Sequence, residues 1–377
     1  MAKVVVDGRR AHLALKYNGV AVKNEWLQDY LIDFTYTDAA PGEQDSIAIN
    51  LDDRDRKWMG PWVPKFGDKI SAEITLINWD KPGEKKKLPC GSFEVDTLDL
   101  DGPPDKVSIQ ALAIPTGGAG ALQEARTKAW EKVKLKTIAA EIAKRAKLKL
   151  VYSSASNPSY DRLDQNEQPD LDFLNQTAKA EGIAVKISGG CLAMFDEEEY
   201  EKKPAVIDIV RGKSNILSYK FSDSTTNVIY GSCVVTYRPP VSKAKKKEAK
   251  DKKKKDGKDK TPKAAAAKKK KAGTPKSITA SYTMPGGSKL PVLRINEKVD
   301  SIAEGQRLAK NRLREKNKEA GRASFTLEGD IRLASSVTAN VKGFGRFDGK
   351  YIVESATHKI GGGPYTTDIE IRKVLGW

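Results

Sequence analysis

The stretch from Leu135 to Ile187 constrains the fold most, because it places helical sequence between two long regions of β pattern. Pro169 in a first turn and Gly182 at a left-handed C-cap predict one helix between them. Apolar residues also recur at the spacing of an amphipathic helix over Val133 to Lys147: Leu135, Ile138, Ala139, Ile142, Ala143 and Ala146. Short strands are predicted to complete this module: Lys149 to Tyr152 and Ile183 to Ile187.

The regions on both sides of the module alternate with period two and are broken by glycine, proline and aspartate, as antiparallel sheets are. Asn18-Gly19 between two short apolar segments predicts a hairpin with a type I′ turn. We therefore predict an α+β protein that is mainly β, with two β domains held apart by a small helical module. The predicted domains are residues 1–115, 116–203 and 204–377.

Two connections in the first half carry unusual residues. The loop from Asp52 to Gly67 contains several bulky aromatic side chains, which we expect to cover the open end of a small barrel or sandwich. The glycine-rich segment 115–120 lacks the Gly-Lys-Ser/Thr of a phosphate-binding loop, so we interpret it as a joint between domains. Helical sequence containing Trp130 is predicted to follow it.

The last third resumes the β pattern and contains one helix. Asp300 or Ser301 with Glu304 forms a capping box, which predicts a helix to about Asn317. One face of that helix is very basic: Lys310, Arg312, Arg314 and Lys316. A lysine-rich segment, residues 242–276, is predicted to be an insertion between two strands of this region.

That insertion accounts for most of the net charge of +17. Between Lys243 and Lys276 there are 17 lysines against four acids, a net charge of +13, which leaves +4 for the rest of the chain. The segment has no arginine and no aromatic residue, so we expect it to be disordered. Two interpretations stay open: a solvated loop that is tolerated at a hairpin tip, or a segment that attracts a polyanion or an acidic protein surface without base readout. The candidate contact residues are Lys245, Lys246, Lys247, Lys252, Lys253, Lys254, Lys255, Lys268, Lys269, Lys270 and Lys271.

The sequence predicts no catalytic group, cofactor or metal. His12 and His358 are the only imidazoles and have no recognisable companion for a triad or a zinc site, so His358 is interpreted as a structural hydrogen-bonding residue. The acidic cluster Asp196 to Glu199 is predicted to be a solvated turn. The three cysteines are scattered, which predicts reduced thiols. The N-terminus has no signal peptide, which predicts synthesis in the cytoplasm. No apolar run is long enough to predict a membrane span.

Three separated motifs resemble one family. Asp161 to Asn175, followed by Ala178 and Glu181-Gly182, resembles the central signature of the phage late control D proteins, the baseplate hubs of contractile tails. The C-terminal sequence resembles the final hairpin of that family, in Phe347 to Val353, His358, Gly363 to Thr367 and Ile369 to Arg372. Several N-terminal stretches, among them Phe34 to Asp38, are similar to its Gram-positive subgroup. The residues that the resemblance marks as structural are Asp170, Phe173, Leu174, Gly182, Gly349, Tyr351 and His358.

This resemblance implies a homotrimeric hub, related to the hub part of type VI secretion spike proteins. Each chain would carry two β-barrels like the tail-tube subunit, so that three chains present six barrels to the hexameric tube. The implied partners are the tail tube protein, the central spike protein, other baseplate proteins and the tape-measure protein, within a virion or phage-like particle that assembles in the host cytoplasm. Two alternatives remain: a nucleic-acid-binding protein that holds DNA through the lysine-rich segment, and a cell-wall-binding or lytic tail protein.

Overall fold

The structure is a computed structural model that describes residues 8–113, 122, 124–224, 229–238 and 277–377. The described residues form two compact units. One comprises those of Met1–Thr225 with those of Lys318–Trp377, and the other comprises those of Thr226–Asn317. The predicted glycine-rich joint at 115–120 and the lysine-rich insertion both lie outside the described residues. No helix in the described ranges has the length and apolar composition needed to cross a bilayer.

The N-terminal β region of the first unit is a series of antiparallel strands with one short helix. The Asn18-Gly19 turn is confirmed, since both residues have positive φ, 48° and 85°, and Tyr17 pairs with Val20 across it. The elements are β1 Arg10–Tyr17, β2 Val20–Ala21, α1 Asn24–Tyr30, β3 Leu31–Asp38, β4 Ser46–Asp52, β5 Lys69–Ile77, β6 Lys85–Asp101 and β7 Lys106–Leu112.

The central module contains both predicted helices and a two-stranded sheet that the sequence did not predict. Its elements are β8 Ala125–Lys134, α2 Leu135–Arg145, β9 Lys149–Tyr152, β10 Ser159–Pro169, α3 Asp170–Ala180, β11 Ile183–Ser188, β12 Cys191–Asp196 and α4 Glu197–Lys202. The prediction of helical sequence around Trp130 is wrong, because β8 pairs along its length with β10. Long charged side chains suit an exposed strand as well as a helix, and the cross-strand partner decided the outcome.

The C-terminal β region contributes β13 Ile207–Val210, β14 Ile216–Asp223, β18 Gly321–Glu328, β19 Thr338–Lys342, β20 Gly349–Gly361 and β21 Thr366–Lys373. These strands and those of the N-terminal region form one 13-stranded sheet, ordered β14-β18-β21-β20-β3-β4-β7-β6-β5-β1-β2, with β19 beside β20 and β13 beside β19. The mainly β, α+β fold class is therefore confirmed.

The two β regions are joined and not held apart, which corrects one expectation. β3 and β20 pair antiparallel over six residues, from Asp38 opposite Ala356 to Asp33 opposite Gly361. Gly361 has a φ of 92°, and a Cβ there would lie 2.5 Å from the carbonyl oxygen of Ile32, so this close approach requires glycine. The described pairings form an open path, so closure of each region into a barrel stays a prediction, as do the three domain boundaries.

The second unit is a three-stranded sheet with one helix: β15 Ser232–Tyr237, β16 Ile278–Thr283, β17 Val292–Ile295 and α5 Ile302–Asn317. The capping box is confirmed with Ser301, whose hydroxyl accepts from the Glu304 amide at 3.1 Å. The basic face of α5 is less cationic than its sequence suggests, because Arg312 pairs with Glu297 and Arg314 is buried.

β15 and β16 are adjacent antiparallel strands, with Tyr237 opposite Ile278. The lysine-rich segment connects these two positions in the sequence. The prediction that it is an insertion between two strands is therefore confirmed.

Candidate functional site

A buried polar junction connects all three parts of the first unit. Its first component is Asp38, which follows Phe34 and Tyr36 on the inward face of β3. One carboxylate oxygen of Asp38 lies 2.7 Å from the ammonium of Lys186 on β11, in the central module. The other accepts a hydrogen bond of 2.8 Å from the backbone amide of Ser335, in the C-terminal β region. A single carboxylate thus contacts both neighbouring parts.

Lys186 is the cation of this junction and is only 12% exposed. Its ammonium also lies 3.0 Å from the Asp45 carboxylate and donates to the carbonyl oxygen of Ala39 at 2.5 Å. A backbone hydrogen bond of 2.7 Å from Gly42 to Val185 supports the same contact. The loop between β3 and β4 is therefore held against β11 by an ion pair and by a backbone hydrogen bond.

Asp45 is the most deeply buried member, with 1% of its side chain exposed. It accepts a hydrogen bond of 3.0 Å from the Ala39 amide. Burial raises the pKa of Asp45, whereas Lys186 opposes that rise. The charged form of Asp45 consequently depends on the lysine beside it.

His358 lies next to this junction on β20 and is 1% exposed. Its Nε2 lies 3.1 Å from the carbonyl oxygen of Leu333, so this nitrogen carries the proton, and Nδ1 accepts from the Tyr365 hydroxyl at 2.7 Å. Burial lowers the pKa of His358, which favours this neutral tautomer. The ring also stacks on Tyr36 of β3, with centroids 6.0 Å apart. His358 thereby packs across the β3–β20 joint.

A second joint connects the module to the C-terminal β region through α4. Glu201 on α4 lies 2.7 Å from Arg372 on β21, and each side chain is 3% exposed. Glu197, in the first turn of α4, forms an ion pair with Lys318. The prediction of a solvated turn at Asp196 to Glu199 is wrong: acidic residues in a first turn favour the helix dipole, and Asp196 itself accepts from the Ser154 hydroxyl at 2.5 Å.

Asp170 lies in a polar network inside the central module. Its side chain is fully buried, and one carboxylate oxygen accepts two hydrogen bonds from Arg145, at 2.7 and 2.9 Å. The other oxygen accepts from the buried amide of Gln165 at 2.9 Å. These bonds connect the start of α3 to the end of α2 and to the irregular part of β10.

The other residues marked in the central signature are packing and turn residues. Phe173 is buried and stacks on Trp130 with an interplanar angle of 8°. Leu174 is fully buried in the same core. Gly182 has a φ of 74°, so it supplies the left-handed conformation at the end of α3.

The C-terminal motif combines a special backbone position with a buried tyrosine. Gly349 has a φ of 146°, and a Cβ there would lie 3.2 Å from the Lys373 side chain. Tyr351 is 2% exposed, and its hydroxyl donates to the carbonyl oxygen of Phe347 at 2.7 Å. The structure places both residues beside the core of the C-terminal β region, and places His358 at the joint.

The loop between β4 and β5 covers one end of the N-terminal core, as expected. Asp53 orders it by accepting hydrogen bonds from the amides of Trp58 and Met59, at 2.9 and 3.2 Å. Trp58 packs on the core, and an aromatic cluster surrounds it: Trp26, Tyr30 and Trp62. An apolar cavity of about 360 Å³ remains open beside these rings.

These arrangements fix the orientation of neighbouring parts and place their ionisable groups in the interior. In the described part of the chain, no group of three or more histidine, cysteine, aspartate or glutamate residues is arranged to hold a metal ion. The candidate contact lysines of the insertion lie outside the described residues. The role that the resemblance assigns to the other seven residues stays a prediction.

No sequence pattern pointed to Lys186, Asp45 or the Arg372–Glu201 pair. The sequence does indicate that Asp38 is buried, because it follows Phe34 and Tyr36 at alternate positions of β3 and so points to the same, inward face. A charged residue at a core position requires a partner, so that phase predicts a buried cation nearby. Nothing in the sequence indicates that the cation is Lys186, which lies 148 residues later in the sequence.

Comparison with known proteins agrees with the sequence resemblance. The chain is 25% identical over 360 residues to the probable baseplate hub protein of Escherichia phage 186, a match that covers 92% of this chain and 89% of that protein. Among solved structures it is similar to the 43 kDa tail protein of prophage MuSo2 from Shewanella oneidensis, with a TM-score of 0.65 at 12% identity, covering 97% of this chain and 98% of that one.

A type VI secretion component from Escherichia coli, described as structurally similar to T4 tail proteins, matches with a TM-score of 0.55 at 10% identity, over 96% of this chain and 78% of that one. No family model matches the chain. The structural likenesses show a fold shared with phage tail proteins, and the sequence match confirms the resemblance to a baseplate hub.

Proposed function

We propose that this chain is a structural baseplate hub of a contractile phage tail or phage-like particle, and thus a virion component. The observation that carries the proposal is the match to a probable baseplate hub protein along nearly the whole chain. Because the match spans both β regions and the central module, it supports a role for the complete arrangement. A shared fold alone would not distinguish a hub from other tail proteins.

The joints between parts support a mechanical role. A hub between tube and spike has to keep its parts in register when the tail contracts. The six-residue pairing of β3 with β20 and the buried contacts of Lys186 and of Arg372 fix those parts to one another. Truncating one partner of a buried ion pair costs about 3 to 5 kcal/mol, so these contacts resist displacement of the parts.

We further propose that three copies form the hub, with the two β regions of each copy facing the sixfold tail tube and the opposite face holding the central spike. Three copies with two β regions each present six, which matches the symmetry of a hexameric tube. Other baseplate proteins and the tape-measure protein are the remaining proposed neighbours. Assembly takes place in the host cytoplasm.

The proposed role is non-catalytic and needs no cofactor. His358, Asp38 and Asp45 are buried ionisable residues near the joints, and each is hydrogen-bonded within the core. These groups hold the structure together and do not face a substrate. In a lytic tail protein, by contrast, ionisable side chains would face the substrate.

Two measurements test the proposal. Size-exclusion chromatography with light scattering should give three times the chain mass of 41.4 kDa. Co-expression with the tail tube and spike proteins of the same particle should yield a complex containing all three. A monomer that captures neither protein, or a purified chain that cleaves peptidoglycan, would contradict the proposal.

A further inference from the structure

The 13-stranded sheet leaves two strand edges unpaired in the part of the chain that the structure describes. β14 pairs with β18 on one side and forms the end of the sheet on the other. β6 pairs with β5 as far as Glu94 and with β7 from Glu94 to Asp101, so its outer edge is free from Asp96 to Asp101. Unpaired strand edges of this kind are able to bind a further strand.

Both edges leave apolar side chains of their own cores exposed. Leu100 on β6 faces the same side as its partner Val107, which is 1% exposed, although Leu100 itself is 46% exposed. Tyr219 on β14 faces the same side as its partner Phe325, also 1% exposed, and is itself 46% exposed. At the opposite end of the sheet, the inward leucines of β1 are already buried. The core-facing sides of β6 and β14 are therefore the ones that an added strand would cover.

The backbone of β14 offers hydrogen-bonding groups beside these side chains. The Ser224 amide donates to the carbonyl oxygen of Ala320 at 2.9 Å, which sets the phase of β14 on β18. Opposite residues of antiparallel strands alternate between hydrogen-bonded and non-hydrogen-bonded pairs. The amides and carbonyls of Tyr219 and Phe221 consequently point to the free edge.

The free edge of β6 has a matching phase. The Asp53 amide donates to the carbonyl oxygen of Asp105 at 2.9 Å, so Asp105 and every second residue after it on β7 bond to β4. The residues between them bond to β6, where they pair with the odd-numbered residues. The even-numbered Leu98 and Leu100 consequently direct their amides and carbonyls away from β7.

The outward faces of the two edges carry opposite charges. Lys220 on β14 is exposed and lies opposite the uncharged Ser324 of β18. Asp99 on β6 is exposed and lies opposite the uncharged Ser108 of β7. Neither Lys220 nor Asp99 forms an ion pair with another described residue. Pairing the two edges would bring these charges onto one face of the sheet.

Strand direction allows the two edges to meet as antiparallel neighbours. Seven successive antiparallel pairings lead from β14 to β6 through β18, β21, β20, β3, β4 and β7. Because this number is odd, β14 and β6 run in opposite directions. Copies related by rotation about an axis roughly along the strands keep these directions, so β14 of one copy meets β6 of the next copy antiparallel.

We propose that β14 of one copy pairs antiparallel with the free part of β6 of a second copy. The inference rests on the proposed assembly of three copies and names the contact between them. It joins the C-terminal β region of each copy to the N-terminal β region of the next, so the two kinds of region alternate around the ring. The two edges are different surfaces, and such head-to-tail contacts form a ring when the rotation closes.

Side-chain character and charge select one register for this contact. Apolar side chains meet on the core side and opposite charges meet on the outward side in one alignment: Tyr219 opposite Leu100, Lys220 opposite Asp99 and Phe221 opposite Leu98. A shift of two residues one way places Lys220 opposite the uncharged Thr97. A shift the other way places Tyr219 opposite Gly102, which has no side chain to cover it.

Cysteine cross-linking of the full chain tests the contact and its register. Lys220 and Asp99 would form a non-hydrogen-bonded pair, in which Cα atoms lie about 4.5 Å apart, within the range of a disulfide. Oxidation of the double variant Asp99→Cys, Lys220→Cys should therefore give covalent dimers and trimers on a non-reducing gel. Each single variant controls for the native cysteines. Asp101→Cys with Lys220→Cys is two residues out of register and should cross-link far less.

Analytical ultracentrifugation measures the strength of the same contact. Leu100→Ser should weaken association about fivefold or more, because burial of the leucine no longer favours the contact. Lys220→Glu and Asp99→Lys should each weaken it, and the two together should restore it to within about threefold of the parent. Val20→Ser is the matched control, since Val20 is 72% exposed on β2, outside both edges, and it should leave association unchanged.

The outcomes separate the contact from the assembly. If the parent chain forms trimers but the double variant Asp99→Cys, Lys220→Cys cross-links no better than the single variants, the pairing is wrong and the trimer stands. Failure of the combined charge reversal to restore association would overturn the pairing as well. A parent chain that stays monomeric would contradict the proposed hub assembly itself, and this contact with it.

Discussion

Replacing Lys186 by methionine should destabilise the first unit strongly, because it leaves two buried carboxylates without their cation. Methionine keeps most of the side-chain volume, so the change removes the charge and little packing. Asp38 and Asp45 are 11% and 1% exposed, and both lie within 3.0 Å of the lysine ammonium. Removing one partner of such a buried pair costs about 3 to 5 kcal/mol.

That cost is a large fraction of the roughly 5 to 15 kcal/mol that stabilises a typical domain. In a unit of this size it should lower Tm by about 5 to 8 °C. The loss of stability should shrink as the pH falls. Burial raises the pKa of Asp45, so this carboxylate takes up a proton more readily in the folded state than in the unfolded state, and a protonated Asp45 no longer needs the lysine. Thermal and urea unfolding followed by circular dichroism, from pH 8 to pH 5, measure both effects.

Two variants make the test specific. Lys202→Met removes a lysine that is 60% exposed and pairs with Glu198 and Glu199, so it should cost less than about 1 kcal/mol. Combining Lys186→Met with Asp38→Asn and Asp45→Asn should recover much of the lost stability, because no buried charge is left unpaired. If Lys186→Met costs no more than Lys202→Met, the junction does not hold the three parts together and the reasoning fails.

Three further predictions concern other contacts. Burial lowers the pKa of His358, so the unfolded chain takes up a proton first and the parent loses stability as the pH falls below about 6.5. His358→Gln should reduce that loss. If urea titrations show that stability falls equally with pH in the parent and the variant, this prediction is wrong. Asp170→Asn should cost about 3 kcal/mol and increase amide exchange across α2 and α3, since Arg145 loses its buried carboxylate partner and retains the exposed Glu141, whereas Asp164→Asn at an exposed pair should have little effect. Replacing residues 243–276 by a short Gly/Ser linker should abolish salt-sensitive binding of DNA or of an acidic protein, and unchanged binding, assembly and infectivity would show a tolerated insertion.

Local patterns in the sequence predicted local structure well. The Asn18-Gly19 turn, α2, α3 and the Ser301 capping box all depend on residues within a few positions of each other, and all are present. One exception is β8, which becomes a strand because its partner β10 lies about 30 residues further on. Its own residues do not encode that pairing.

Joints between distant segments could not be predicted in the same way. The pairing of β3 with β20 connects residues more than 300 positions apart, and neither strand differs in composition from an ordinary edge or central strand. Lys186 lies in a mainly apolar strand, where an isolated lysine is as consistent with a solvated face as with a buried ion pair. Such contacts depend on tertiary packing, which the hydrophobic periodicity of a segment and the secondary-structure propensity of its residues do not specify.

A three-dimensional reconstruction of the tail end of the particle that contains this chain tests the central claim most directly. The account predicts three copies around the tail axis at the junction of tube and spike, with both β regions of each copy beneath the last ring of tube subunits. Density for this chain at any other place in the particle, or a copy number other than three at that junction, would contradict it.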